Sequence, residues 1–293
     1  QCLTLNAPSY PSRLKECEDA PLALFYRGNS PLNTQRVISI VGTRHATKYG
    51  EDLCTSFMQD LANLCPNTLI VSGLAYGIDI HAHRNALKYK LPTVGVLAHG
   101  LDRIYPSAHR KTAIEMMDHG GLLTEFMSGT NPDRQNFVRR NRIVAGMSDA
   151  TIVVESAAKG GALITAELAE SYHRDCFAFP GRSTDIYSAG CNELIKNNRA
   201  SLLLSAKDFV EAMGWNTSNN TSKQAVQREL FPELTEEELK IVQTLQHSSE
   251  GVQINRLVVE TNIPINQMSA LLFELEMKGV VRALAGGVYR LLF

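Results

Sequence analysis

Four arginines fall within nine residues, at 134, 139, 140 and 142, interleaved with Asn136, Phe137 and Asn141. A guanidinium presents a planar fork of donors that matches phosphate oxygens, and an exposed aromatic ring can stack an unpaired base. At helical spacing Arg139 shares a face with Arg142, and Arg134 with Phe137. The segment suits a groove for a polyanion. The same spacing also suits a solvated helix face bridged to Glu125 and Glu155, so the arginines alone leave both readings open.

Three glycine-bearing loops bear on phosphate as well. The run VISIVGTR, residues 37–44, is apolar up to Gly42 and then shows Thr43 and Arg44. Gly42 permits a tight turn and a close backbone approach. Helix formers follow from Tyr49, which places the turn near a helix N-terminus, where free N–H groups favour an anion. SGLAYGID, residues 72–79, repeats the arrangement ahead of His81 and His83. Lys159-Gly160-Gly161-Ala162 offers it a third time.

Other chemistries fit less well. The first loop lacks the GxGxxG spacing of a dinucleotide site, and Ser72 stands where such a site wants an acid for the ribose. His81 and His83 are two apart on a helix and point to different faces, a poor ligand pair, and Asp79 beside them suits helix-start hydrogen bonds. No Ser/His/Asp or Cys/His arrangement stands out. Glu125 and Glu155 sit at neighbouring strand ends and could perform acid–base work. Pairing with the arginines of 134–142 is the favoured reading. We therefore expect no catalytic residues, no metal and no cofactor.

These residues must be positioned by a scaffold. Strands are predicted over 37–42, 68–72, 93–98, 121–124, 150–155, 175–179 and 201–204. Helices are predicted between them over 49–64, 77–89, 107–118, 134–146, 162–173 and 190–197, with a last one over 206–213. Such alternation implies an α/β fold with a mostly parallel sheet and helices on both faces, and ligands at the carboxyl ends of the strands. Residues 1–35 read as an arm packed on this domain, with a short strand ending at Gly28. Residues 214–230 are polar and read as a linker. Residues 231–293 read as a winged helix-turn-helix: a helix opened by the capping box Thr235/Glu238, helices near 253–260 and 264–278, and a hairpin turning at Gly286-Gly287. This last unit carries five Lys/Arg against eight Asp/Glu, a net of −3, which favours a protein-contact module over a duplex reader.

The 293 residues carry a formal charge of −1, so any nucleic-acid surface must be local. Six scattered cysteines form no CxxC and read as free thiols of a reducing cytoplasm. No apolar run is long enough to span a membrane, and no signal peptide is evident. The chain begins at Gln1 rather than Met, as a fragment would.

Taken together, these blocks resemble the DNA-processing protein A (DprA/Smf) family. The resemblance rests on Tyr10-Pro11, VGTR at 41–44 with Tyr49-Gly50, SGLAYGID at 72–79 with His81 and His83, Gly100-Leu101-Asp102 with Tyr105-Pro106, Phe137 with RNRIVAG at 140–146, GGALITA at 160–166, Pro180-Gly181 and Gly190-Cys191-Asn192. It implies an extended Rossmann-like domain, here 36–213, with a C-terminal winged helix. It implies binding and protection of single-stranded DNA and loading of the RecA recombinase onto it during natural transformation, without catalysis. Carried over by motif, the strand contacts would be Gly42, Thr43, Arg44, Ser72, Gly73, Gly77, Arg134, Phe137, Arg139, Arg140, Asn141, Arg142, Lys159, Gly160, Gly161 and Ala162. A homodimer would form near Asn192 to Leu204. Two departures stand out: the family usually reads Ser-Gly-Ser at Gly160-Gly161-Ala162, and often Gly-Ala at Arg199-Ala200. An alternative is a nucleotide phosphoribohydrolase of the LOG type, whose glutamate and arginine would be Glu167 and Arg142. There, however, Lys159 replaces the leading proline and the Gly-Thr is missing.

Overall fold

The computed structural model describes residues 1–215, 234–246, 251–284 and 287–292. The chain divides into two compact units, residues 1–218 and 219–293. The first opens with β1 (Cys2–Thr4), a single helical turn α1 (Ser12–Lys15) and β2 (Ala23–Gly28). Then follow β3 (Val37–Val41), α2 (Lys48–Leu64), β4 (Leu69–Ser72), α3 (Ile78–Lys88) and β5 (Thr93–Val96). A 3₁₀ turn at Ser107–His109 leads into α4 (Arg110–Asp118), and then come β6 (Gly120–Thr124) and α5 (Arg134–Gly146). The series ends with β7 (Ala150–Val153), α6 (Gly161–Ser171), β8 (Asp175–Ala178), α7 (Ala189–Lys196), β9 (Ser201–Leu202) and α8 (Ala206–Ala212).

All nine strands join one sheet in the order β1-β2-β6-β5-β4-β3-β7-β8-β9. From β6 to β9 every neighbouring pair is parallel. The preface expected as a packed arm does more than pack. Its β2 pairs antiparallel with β6, and β1 with β2, so the arm adds two strands to the sheet. The reason is an alternation in Ala23–Gly28 that buries Leu24 and Tyr26 on one face.

Every residue of β3 is buried, as a central parallel strand requires. Val37 and Val41 face a core built with α1, α5 and α6, while Ile38 and Ile40 face the opposite core, built with α2, α3 and α8. Ser39 between them satisfies its hydroxyl against Thr151 Oγ1 on β7, at 2.7 Å. Strand order reverses at the β3/β7 pair, since β4 and β5 lie to one side of it and β8 to the other. Such a switch point opens a crevice between diverging loops, where α/β sheets bind ligands.

Gly214 and Trp215, expected in the linker, belong to the first unit. The Trp215 ring packs edge-on against Phe209 at 5.3 Å and lies under the Arg36 guanidinium at 5.5 Å. The rest of that expected linker lies outside the described residues.

The second unit contains α9 (Glu236–Gln246), β10 (Val252–Gln253), α10 (Ile254–Thr261), α11 (Ile265–Met277), β11 (Val281–Leu284) and β12 (Val288–Leu291). Its three strands pair in the order β10-β12-β11, and the helices close over one core that includes Ile241, Leu257 and Leu272. The capping box is formed: Glu238 N–H donates to Thr235 Oγ1 and Thr235 N–H to Glu238 Oε2. This is the winged-helix order expected from the sequence. Part of the hairpin turn, Gly286 included, lies outside the described residues.

His83 fixes α3 to the sheet. It is fully buried and shares a 2.7 Å hydrogen bond with Thr93 Oγ1 on β5. Burial, with Arg140 adding to it, lowers its pKa from 6.5 to about 3. Below pH 6.5 the unfolded chain binds this proton and the folded chain does not, so this contribution to stability is present above pH 6.5 and lost as pH falls toward 3. Urea unfolding at pH 7 and pH 5 should show a loss of about 2 kcal/mol traceable to this group. His83→Leu should remove that part of the loss; an unchanged profile in the variant would contradict the assignment.

Candidate nucleic-acid interface

At the switch point the loops after β3 and β4 interlock through their backbones. Thr43 N–H donates to the Glu155 carbonyl at 2.6 Å, and Ile78 N–H to the Thr43 carbonyl at 3.1 Å. Gly77 has φ +72°, and a Cβ there would stand 2.1 Å from the Thr43 oxygen, so only glycine fits.

The first loop does not present a vacant helix N-terminus. Glu155, 3% exposed at the end of β7, reaches the start of α2, where its carboxylate accepts from Thr47 N–H at 2.9 Å and Thr47 Oγ1–H at 2.6 Å. Thr47 Oγ1 in turn accepts from Gly50 N–H. The protein's own carboxylate thus holds the position expected for a phosphate. It also corrects a second expectation, since Glu155 pairs with this helix start and not with the arginines of α5.

The second loop is closed in a similar way. Asp79, in the first turn of α3, accepts from Gly73 N–H at 3.1 Å and Ala75 N–H at 3.4 Å. Burial raises its pKa, and the nearby Arg140 guanidinium opposes the rise. Ser72 turns its hydroxyl inward to the Ile40 carbonyl at 2.6 Å and is fully buried, so it presents nothing to a ligand.

The third loop differs. No side chain caps α6, whose cap position is Gly160 and whose first turn holds no acid. Lys159 is exposed just ahead of it. Asn141 of α5 reaches across to the Gly161 carbonyl at 3.5 Å. Of the three helices that follow β3, β4 and β7, α6 alone has no carboxylate at its start.

The arginines of α5 separate by face. Asp133 caps the helix by accepting from Asn136 N–H at 2.9 Å. Arg134, Phe137, Val138 and Asn141 line a cleft of about 1010 Å³ above the switch point. Phe137 is half-buried, with the Arg44 guanidinium 5.1 Å above its ring and the Tyr105 ring 5.9 Å away. Arg139 and Arg142 lie outside the cleft lining, and both pair with Glu125 Oε2, at 3.0 and 2.5 Å. Arg142 also donates to the Asp19 carbonyl at 2.6 Å. For these two the salt-bridge reading holds. Arg140 is a separate case. It is 3% exposed and donates through Nη1 to the Val96 carbonyl at 2.5 Å, and its Nε has no partner among the described residues. Burial lowers its pKa to about 10, with Asp79 opposing the fall. It still carries its charge at neutral pH.

Of the expected site residues, the cleft gathers Gly42, Thr43, Arg44, Gly73, Arg134, Phe137, Arg140, Asn141, Lys159, Gly160, Gly161 and Ala162. Ser72, Gly77, Arg139 and Arg142 stand behind or beside it. Arg44, Arg134 and Lys159 are exposed and have no carboxylate partner among the described residues. His45, Tyr105 and Tyr187 also line the cleft and were not expected there. Tyr105 had a signal in the Tyr-Pro that follows a strand end, whereas Tyr187 sits in a loop with no periodic pattern. Glu167 lines the cleft but bonds Arg199, while Arg142 bonds Glu125, so the pair that a phosphoribohydrolase needs is not assembled. Among the described residues no three His, Cys, Asp or Glu side chains converge as a metal site.

The model of the family described as DNA recombination-mediator protein A matches residues 1–214, and that of the DprA winged helix domain matches residues 227–287. Protein Smf of Synechocystis sp. is 33% identical over 99% of this chain and 80% of its own length. The X-ray structure of DNA processing protein A from Streptococcus pneumoniae superposes with a TM-score of 0.68 at 38% identity, covering 72% of this chain and 73% of that one. A structure of DNA processing protein A from Helicobacter pylori, described for its single-stranded DNA binding mode, superposes with a TM-score of 0.66 at 30% identity, covering 73% of this chain and 96% of that one.

Removing the Asp79 carboxylate leaves two loop N–H groups without their acceptor and takes from Arg140 the opposing charge that supports its ionised form. Asp79→Ala should lower the unfolding free energy in urea by about 3 kcal/mol, in line with loss of one member of a buried charged pair. A loss below about 1 kcal/mol would show that the loop does not depend on this acid.

Proposed function

The chain belongs to the DNA recombination-mediator protein A family, and we propose that its first unit binds single-stranded DNA along the switch-point cleft, largely without regard to sequence. One observation carries the reading: three cations without a carboxylate partner among the described residues, a helix start with no side-chain cap and an aromatic ring under a guanidinium share one cleft. Phosphates would be met by the first N–H groups of α6, by Lys159 and by Arg44. Arg134 would extend the positive wall, and Phe137 would stack a base. The single-stranded DNA binding mode described for the Helicobacter pylori relative supports this ligand.

The family's description as a recombination mediator supports a further step, handing the held strand to the RecA recombinase during natural transformation. We read the cleft as a binding surface without catalysis, because its nearby acids Asp79 and Glu155 already accept from backbone N–H groups. A homodimer through the end of the first unit is supported by the edge strand β9, where Leu202 is 51% exposed and Leu204 beyond it 65%. The second unit is read as a protein-contact module. Its α11 turns Phe273 and Met277 outward beside Glu274 and Glu276, a surface ill suited to duplex phosphates. Six free cysteines, five of them buried, suit a reducing cytoplasm, and among the described residues no helix is long and apolar enough to cross a membrane.

Fluorescence anisotropy with a labelled oligothymidylate tests the site. Arg44→Ala and Lys159→Ala should each weaken binding by about 1–3 kcal/mol and flatten its salt dependence, while Arg139→Ala should change affinity less than either. Unchanged affinity in both of the first two variants would overturn the site.

A further inference from the structure

The loop after β8 begins with the Pro180-Gly181 of the sequence and leads through Tyr187 into α7. It is held firmly in place. Tyr49 Oη–H donates to the Pro180 carbonyl at 2.6 Å. The Asn192 side chain bonds Gly181 on both sides, accepting from its N–H at 3.1 Å and donating to its carbonyl at 3.0 Å. Asp185 N–H closes a turn onto the Arg182 carbonyl, and Ser188 N–H one onto the Asp185 carbonyl, both at 3.1 Å. Ser188 itself is buried, and Gly190 N–H donates to the Ser156 carbonyl at 2.8 Å, tying the loop to the one that leads into α6.

This bracing carries Tyr187 to the cleft wall, half-buried, with its ring 6.3 Å from that of His45 and tilted 35° to it. The Tyr187 hydroxyl has no hydrogen-bond partner among the described residues. Both rings line the cleft that holds Arg44 and Lys159. A tyrosine fixed by its backbone, exposed on one side and free at its hydroxyl, is poor core packing and a good stacking surface.

Its place along the sheet edge matters. Tyr105 follows β5 and its ring meets that of Phe137 on α5 at 5.9 Å, whereas Tyr187 follows β8, on the other side of the switch point. Four strand spacings of about 4.8 Å separate β5 from β8, roughly 19 Å, and α6 begins between them, after β7. A strand whose phosphates rest at the start of α6 therefore meets an aromatic surface in each direction.

We infer that Tyr187, backed by His45, is a second base-stacking platform for unpaired nucleobases, on the opposite side of the phosphate seat from Phe137. The inference rests on the cleft being the single-strand site. Arg182, exposed in the same loop and without an ion-pair partner among the described residues, adds a cation beside the platform.

The test compares an oligothymidylate with an abasic strand of the same length. Tyr187→Ala should weaken oligothymidylate binding roughly tenfold and leave abasic binding unchanged, and Tyr187→Phe should bind as the wild type does. Tyr187→Trp should show emission quenched by the oligothymidylate and not by the abasic strand, a readout that does not require the alanine variant to fold. Equal effects of Tyr187→Ala on both strands, or no quenching with Tyr187→Trp, would overturn the platform. Arg44→Ala separates the two failures. If it weakens both strands while Tyr187 variants do nothing, the platform alone is wrong; if neither it nor Lys159→Ala weakens either strand, the cleft reading falls with it.

Discussion

The buried carboxylate of Glu155 sets what the rest of the cleft can do. It leaves β7, crosses to the start of α2 and accepts from both donors of Thr47. A helix N-terminus carries unsatisfied N–H groups and a partial positive charge, so an internal acid there neutralises what a ligand would otherwise meet. Asp79 quiets the loop after β4 in the same manner, and Asp133 caps α5. With these positions filled from within, α6 is left as the helix start at the switch point that faces the cleft without an acid. The sheet brings many loops together, and its buried acids decide which of them stays open.

The arginines show a parallel division of labour. About two and a half turns of helix place Arg134 and Phe137 over the cleft, Arg140 into the interior under the loop after β4, and Arg139 with Arg142 onto Glu125. The buried guanidinium is costly to desolvate and is offset by Asp79 and the Val96 carbonyl; its value lies in holding the loop. The exposed cations are weak individually. Their effect on a polyanion comes from several of them aligned along one path, with stacking adding affinity that every base can supply.

Much of this architecture was legible in the sequence. The expected span of α5, residues 134–146, is the observed one, and the core strands lie within the expected runs or a residue beyond them, because buried parallel strands and amphipathic helices write their period into the chain. The Thr235/Glu238 cap was readable for the same local reason. Less legible were β1 and α1, of three and four residues, whose order comes from tertiary contacts such as the Tyr10 hydroxyl on the Pro21 carbonyl. The destination of a polar side chain was also out of reach. Nothing in the spacing of Glu155, Arg140 or Tyr187 says whether each turns inward, across a strand pair or into a cleft. Those choices depend on partners more than a hundred residues away for Glu155 and Tyr187's neighbour His45, and on the loop after β4 for Arg140.

The most direct measurement is a crystal structure of the chain with a short oligothymidylate bound. A phosphate should lie within hydrogen-bonding distance of the first N–H groups of α6, beside Lys159 and Arg44, with Glu155 still bonded to Thr47. A strand whose phosphates lie away from α6, or one that displaces Glu155 to occupy the start of α2, would contradict this placement.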